Sequence, residues 1–164
     1  MFNREQYTDI ILMPVLMQLQ MYSHQAISLM LGTIAAESDA GTFIKQVGGP
    51  ALGVYMMEPK THDDTWNHYL TNQPVITGRL MGLCNFSKKP QAVDMIFNVL
   101  YATAMARIHY WRVQEPIPTE LEAQAEYYVR YYNCGGKGTV AKFIDAYNVF
   151  MGVKNGRAKG GTKS

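Results

Sequence analysis

The sequence predicts an all-α, mainly helical protein folded as one domain, and three observations carry that expectation. Along most of the chain apolar residues recur three and four apart, the pattern of a helix with one buried face. The segments so marked are punctuated by capping residues and proline before them and by glycine after them. Finally, 164 residues, 48% of them hydrophobic, suffice to close one sizeable core but not two. We assign residues 1–152 to this domain and 153–164 to a flexible basic tail, because glycine and lysine without apolar residues cannot form a core.

The elements follow in chain order. The run Ile10–Met17 is short, holds Pro14 and leads to no small-residue cleavage site, so it reads as core rather than as an export signal. Pro14 fits the first turn of a helix through Val15, Leu16, Gln18 and Met21, where its missing donor costs nothing. Ser23 suits the cap of a second helix, whose Ile27, Met30, Leu31 and Ile34 lead to Glu37. Residues 41–60 are the least helical, and Val47 to Pro59 reads as a loop or short hairpin over a cleft. Thr61-His62-Asp63-Asp64 has the spacing of a capping box, which makes its acids helix-start residues. A long helix is expected from Gln91 to Val113, with Met95, Val99, Ala102, Ala106 and Tyr110 on one stripe. Thr119-Glu120-Leu121-Glu122 has capping-box spacing before a helix to Asn133, stopped by Gly135 and Gly136. Thr139 caps a last helix through Phe143, Tyr147 and Phe150 to Gly152.

Composition narrows the function classes. A net charge of +2, concentrated in the tail and scarcely interleaved with aromatics, does not make a nucleic-acid surface. Cys84 and Cys134 are too few for a disulfide scaffold, lie in no metal-ligand spacing and are expected as free thiols, although a single bridge between them stays open. No metal or cofactor motif is present, and no run approaches the roughly 20 apolar residues of a membrane span.

Chemistry concentrates in three separated boxes. The first is Glu37-Ser38, at the end of an apolar helix and the start of a turn-rich segment. The second runs Gly49-Pro50-Ala51-Leu52-Gly53-Val54-Tyr55-Met56-Met57-Glu58-Pro59-Lys60-Thr61. The third is Tyr132-Asn133-Cys134-Gly135. A glutamate beside Ile34, Phe43 and Leu52 can be held protonated by burial, which any general acid acting near neutrality requires. A second Ala146-Tyr147-Asn148 lacks the glycine that should follow, so the first copy is preferred.

In this order the boxes resemble the lytic transglycosylase and goose-type lysozyme superfamily. Its members read Glu-Ser at a helix end, then Gly-Ala-x-Gly-(Leu-Met-Gln)-x-x-Pro-x-Thr, then Ala-Tyr-Asn-x-Gly. The resemblance spans residues 24 to 150 and is greatest to short phage-encoded members. It implies a lysozyme-like helical domain that cuts the β-1,4 bond between N-acetylmuramic acid and N-acetylglucosamine in peptidoglycan, with no cofactor. It implies Glu37 as acid and then base, the substrate's acetamido group in place of a second carboxylate, and an anhydro-muramoyl product. By the same resemblance Ser38, Tyr55, Met56, Glu58, Tyr132 and Asn133 contact substrate, with the Tyr132 phenol on the Glu37 carboxyl and the Asn133 amide on the sugar. The partner is a glycan strand, the protein a monomer, and its place a virion or the host cytoplasm with action at the wall. One departure stands out: Met56 occupies the family's glutamine position, trading a hydrogen-bonding amide for a thioether. Two alternatives remain at this point. One is a hydrolase in which Glu58, Asp63, Asp64 or, after them, Asp39 positions water; the other is a virion or wall-binding protein that has kept the fold and lost turnover.

Overall fold

The central helix starts where the sequence places it. Ser23 is extended, and its hydroxyl accepts the Ala26 N–H at 3.0 Å, which launches α3 (His24–Ser38). The computed structural model describes residues 1–153, so the expected basic tail lies outside the described residues from position 154 onward. Within it the chain is mainly helical, as expected. Before α3 come α1 (Arg4–Gln6), a π-helical stretch Tyr7–Leu12 and α2 (Met13–Leu19). After it come α4 (Pro59–His68), a 3-10 turn Leu70–Asn72, α5 (Pro74–Cys84), α6 (Asp94–Phe97), α7 (Val99–Trp111), α8 (Leu121–Tyr131) and α9 (Val140–Met151).

The buried core runs through Leu12, Leu16, Leu29, Met30, Ile34, Met105, Ile108 and Phe143, so α2, α3, α7 and α9 share one interior. The approach of α9 to α3 depends on Gly32, since a β-carbon there would collide with the Phe143 ring. Thr139 caps α9 by accepting the Lys142 N–H at 3.2 Å, and Gly152, at φ 71°, ends it. Both ends agree with the sequence reading.

Four boundaries differ from it. Pro14 stands in the first turn of α2, as expected, but the helical path leading into it begins ten residues earlier, at Arg4, and reaches it through the π-helical stretch. There Met13 N–H bonds back five residues to Thr8, and this wider turn accommodates a ring that would collide with the carbonyl four residues before it in an α-helix. The helix expected over 91–113 is two, α6 and α7, broken at Asn98. Its backbone is extended, its Oδ1 accepts the Tyr101 N–H at 3.0 Å and its amide donates to the Cys84 carbonyl at 3.3 Å, so a side chain replaces the continuing ladder. Neither capping box forms. Glu120 and Glu58 are the extended residues before α8 and α4, and Pro59 at the first position of α4 fixes its start ahead of Thr61. Helix α5 was not anticipated.

Residues 41–58 form the one long non-helical segment ahead of α4. Isolated antiparallel bridges join Lys45 to Leu52 and Leu52 to Met57, which is the short hairpin the turn formers imply. Gly53, at φ 72°, seats it: a β-carbon there would lie 2.7 Å from the Met95 carbonyl and 3.2 Å from Ala102 of α7. Tyr55 anchors it from inside, its hydroxyl 2.9 Å from that of Tyr7 and donating to the Met30 carbonyl at 3.3 Å.

Candidate active site

A cleft of about 970 Å³ opens between this hairpin and the C-terminal end of α8 with its glycine-rich turn. Glu37, in the last turn of α3, lies on it half-buried. Two donors from the opposite wall meet the same carboxyl oxygen: the Tyr128 hydroxyl at 2.7 Å and the Asn133 amide at 3.0 Å, both to Oε1. Because Oε1 is occupied as an acceptor, the proton of the neutral acid belongs on Oε2. Burial pushes the Glu37 pKa up, and the two hydrogen bonds from Tyr128 and Asn133 oppose that rise without cancelling it. The negative end of the α3 dipole acts in the same direction as burial. Desolvation thus favours the protonated carboxyl, while two neutral donors stand ready to steady its ionised form.

The glycine-rich turn exists to hold Asn133. Its Oδ1 accepts the Gly138 N–H at 2.9 Å, which fixes the amide orientation so that Nδ2 faces Glu37. A β-carbon at Gly136 would strike Oδ1 of Asn133; one at Gly138 would lie 2.7 Å from its Cγ and 2.8 Å from the Tyr128 hydroxyl. Gly138→Ala is therefore expected to displace both donors to Glu37 while leaving the core intact. The glycan-cutting activity expected from the sequence should then fall by about a hundredfold, the scale of a 1 Å misplacement, with thermal stability within a few degrees of wild type. A melting curve and a wall-clearing rate, measured side by side, check this; wild-type clearing by Gly138→Ala would show that the turn does not position the acid.

Of the residues expected to touch substrate, Ser38 and Tyr55 do not border the cleft, whereas Tyr132 does but in another role. Tyr132 does not bond Glu37. Its hydroxyl donates to the Tyr55 carbonyl at 2.8 Å and so braces the hairpin, while its ring stacks on Tyr110 at 5.1 Å. Tyr128, one helical turn earlier on the same face of α8, takes the role expected of it. Tyr55 is 1% exposed and belongs to the core, so substrate contact by its side chain is corrected to hairpin anchoring. Ser38 is fully buried: its hydroxyl donates to the Ile34 carbonyl at 3.1 Å and accepts the Gly41 N–H at 2.9 Å, closing the end of α3. Asn133 does line the cleft, but its amide holds the acid, which replaces the expected grip on a sugar.

Met56, Glu58 and Phe43 line the cleft, Met56 in left-handed backbone at φ 46°. Glu58 pairs with Lys60 at 2.9 Å. Of the acids weighed for holding water, Asp39 bonds Thr42 at 3.1 Å, Asp63 accepts from His62 at 2.8 Å, and Asp64 is engaged by Arg112 and His68 at 2.9 Å each. None of these three borders the cleft. His62 is buried with its other nitrogen 2.6 Å from the Tyr101 hydroxyl, and burial holds its pKa down, so it serves the core as a neutral ring.

Three features of the cleft escaped sequence reasoning. Tyr128 was one of four crowded tyrosines, and only the angle of α8 against α3 selects it. His109 lines the cleft with Nε2 donating to the Tyr131 carbonyl at 2.9 Å and Nδ1 unpartnered among the described residues. Burial lowers its pKa and keeps it neutral. Lys45, Lys60, Lys137 and Lys142 surround the opening although they lie far apart in the chain. Cys134 borders the same opening, and both it and the buried Cys84 are free thiols, with burial pushing Cys84 up to about 12.

Among the described residues no group of three or more His, Cys, Asp or Glu side chains is placed to hold a metal ion, and no helix is long and apolar enough to cross a membrane. Comparison with known protein families, with curated proteins and with solved structures finds no match for this chain.

Proposed function

We propose that this protein cuts peptidoglycan glycan strands between N-acetylmuramic acid and N-acetylglucosamine by the non-hydrolytic route of lytic transglycosylases, in phage entry or host lysis. The observation that carries the reading is the Glu37 carboxyl: raised in pKa, gripped through one oxygen only, and open to a long cleft. Oε2 of Glu37 gives its proton to the glycosidic oxygen, and the C–O bond to muramic acid breaks. The positive charge left on that sugar is taken up by its own acetamido oxygen. The Glu37 carboxylate, steadied by Tyr128 and Asn133, then removes the proton of the muramic acid 6-hydroxyl. That oxygen closes onto the anomeric carbon, yielding the anhydro sugar and restoring the acid. No water enters. The lysines around the opening suit a polymer whose peptide stems carry carboxylates.

The choice between lyase and hydrolase turns on a second carboxylate. An inverting hydrolase needs one roughly 6.5 to 9.5 Å from the acid, with water between. Glu58 is the other carboxylate bordering the cleft, and its pairing with Lys60 favours a bracing role. Digestion of purified peptidoglycan in heavy-oxygen water, with mass spectrometry of the soluble products, is expected to give anhydro-muramic ends free of label. Labelled reducing ends would overturn the lyase reading and make Glu58 the water-holding acid. No soluble product would leave a wall-binding protein.

Met56 supplies a further check. Its side chain borders the cleft where the resembling family carries glutamine, so Met56→Gln is expected to strengthen glycan binding by one hydrogen bond, about 1 kcal/mol or roughly fivefold. Titration calorimetry with a soluble glycan fragment measures it. Unchanged affinity would mean that the side chain at position 56 does not face the sugar.

A further inference from the structure

A second cavity, of about 510 Å³, lies away from Glu37, between the start of α3, the C-terminal end of α7 with the segment after it, and α8. Its wall contains an unusual group. Arg107, on α7, is only 4% exposed, yet among the described residues its guanidinium makes one hydrogen bond, Nε to the Met21 carbonyl at 3.1 Å, and no ion pair. Trp111, one turn later and 45% exposed, covers one face of it, with Cζ 5.1 Å from the indole ring centre. A buried cation without a counter-charge is costly, and a single carbonyl with one aromatic face offsets only part of that cost. Burial holds the Arg107 pKa down at about 10, still charged at neutral pH.

The two terminal nitrogens of Arg107 form the fork that reads a planar oxyanion in bidentate fashion. Two further features choose the ligand. Glu115 borders the same cavity, paired with Arg130 at 3.6 Å, and its charge opposes a dianion such as phosphate more than a monoanion. The half-exposed Trp111 ring offers flat apolar surface of the kind a pyranose ring covers. We infer that this cavity is a second binding site, specific for a sugar acid bearing one carboxylate, with Arg107 as its anion receptor and Trp111 as its platform. In a protein acting on peptidoglycan such a site would hold a muramoyl unit whose lactyl carboxylate is free of its peptide stem, away from the bond being cut. The inference stands on Arg107 and Trp111 and does not require Glu37 to be catalytic.

The chain has two tryptophans, and Trp66 is buried elsewhere, on α4. The indole N–H resonance of Trp111, assigned through Trp111→Phe, therefore reports on the cavity, with Trp66 as internal reference. Titration of the full chain with N-acetylmuramic acid is expected to shift the Trp111 resonance saturably and leave Trp66 in place, equally in Glu37→Gln. Neutral N-acetylglucosamine and the methyl ester of N-acetylmuramic acid should bind at least tenfold more weakly, as should Arg107→Met toward the free acid. Should Arg107→Met fail to fold, the comparison of acid with ester on the wild-type chain decides the matter alone. No saturable shift, equal shifts from acid and ester, or a shift caused by inorganic phosphate and not by the sugar acid would each overturn the assignment. Loss of the Glu37 mechanism with this titration intact would overturn only the proposed catalysis.

Discussion

Glu37→Gln should lower the rate of wall clearing by at least the roughly hundredfold that general acid catalysis contributes, with the fold preserved. The amide can accept from Tyr128 and Asn133 through the same oxygen position but cannot release a proton to a leaving group. The wild-type pH profile gives an independent reading. Glu37 must be protonated at the start of the cycle, and burial raises its pKa above the ordinary 4.5, so activity should decline as pH rises through that raised value. Tyr128→Phe removes a donor that favours the ionised form; burial then acts with less opposition, and the decline should move to higher pH. A movement to lower pH would contradict the assignment of Glu37 as the titrating acid. Stability carries the same signature. A carboxyl whose folded pKa is raised binds more protons folded than unfolded between the two values, so wild-type stability is lost as pH climbs through that window. Glu37→Gln lacks this loss and should melt no lower than wild type at neutral pH, with the advantage gone below the ordinary glutamate value. Near wild-type clearing by Glu37→Gln would remove the acid from the mechanism altogether.

Phe143→Ala should destabilise the protein by about 3–5 kcal/mol, the usual cost of emptying a buried phenylalanine site. The ring is fully buried, fills the space that Gly32 leaves on α3, and lies 4.9 Å from the Tyr128 ring. In a domain of this size each kcal/mol lowers the melting temperature by about 2–4 °C, so a drop on the order of 10 °C is expected by calorimetry. The effect is not confined to stability, because Phe143 supports the tyrosine that holds Glu37. Below its melting point the folded variant should still clear walls more slowly than wild type, and Phe143→Leu, which refills most of the volume, should recover most of both properties. Loss of less than about 1 kcal/mol would show that α9 is not what fixes α3 against α8.

The local grammar of this chain is explicit where one residue suffices to satisfy one orphan backbone group. Ser23 and Thr139 cap their helices, Gly152 ends α9, and the turn formers between Gly41 and Pro59 make a hairpin, because each effect acts within four residues of its cause. The same grammar misleads where two signals compete at short range. Pro59 set the start of α4 ahead of Thr61, and Asn98 broke a stripe of apolar residues that looked continuous, since a hydrophobic pattern records burial and not the continuity of the ladder.

The candidate site divides along the same line. The sequence by itself determined that a glutamate ends the central helix, that a hairpin and a glycine-rich turn follow it, and that Asn133 stands beside that turn. It could not choose among Tyr127, Tyr128, Tyr131 and Tyr132, because their side chains are chemically identical and they fall in two pairs four apart, each pair on one helical face. Only the rotation of α8 about its axis, set by Phe143 packed against Gly32, aims Tyr128 at Glu37 and leaves Tyr132 to brace the hairpin. Arg107 shows the same division from the other side: nothing local marks it, and it becomes a buried charge without an ion pair among the described residues only when α3, α7 and α8 close around it. Hydrogen-bonding capacity is written in residue type, but its direction is decided by packing, which joins residues that the chain keeps far apart.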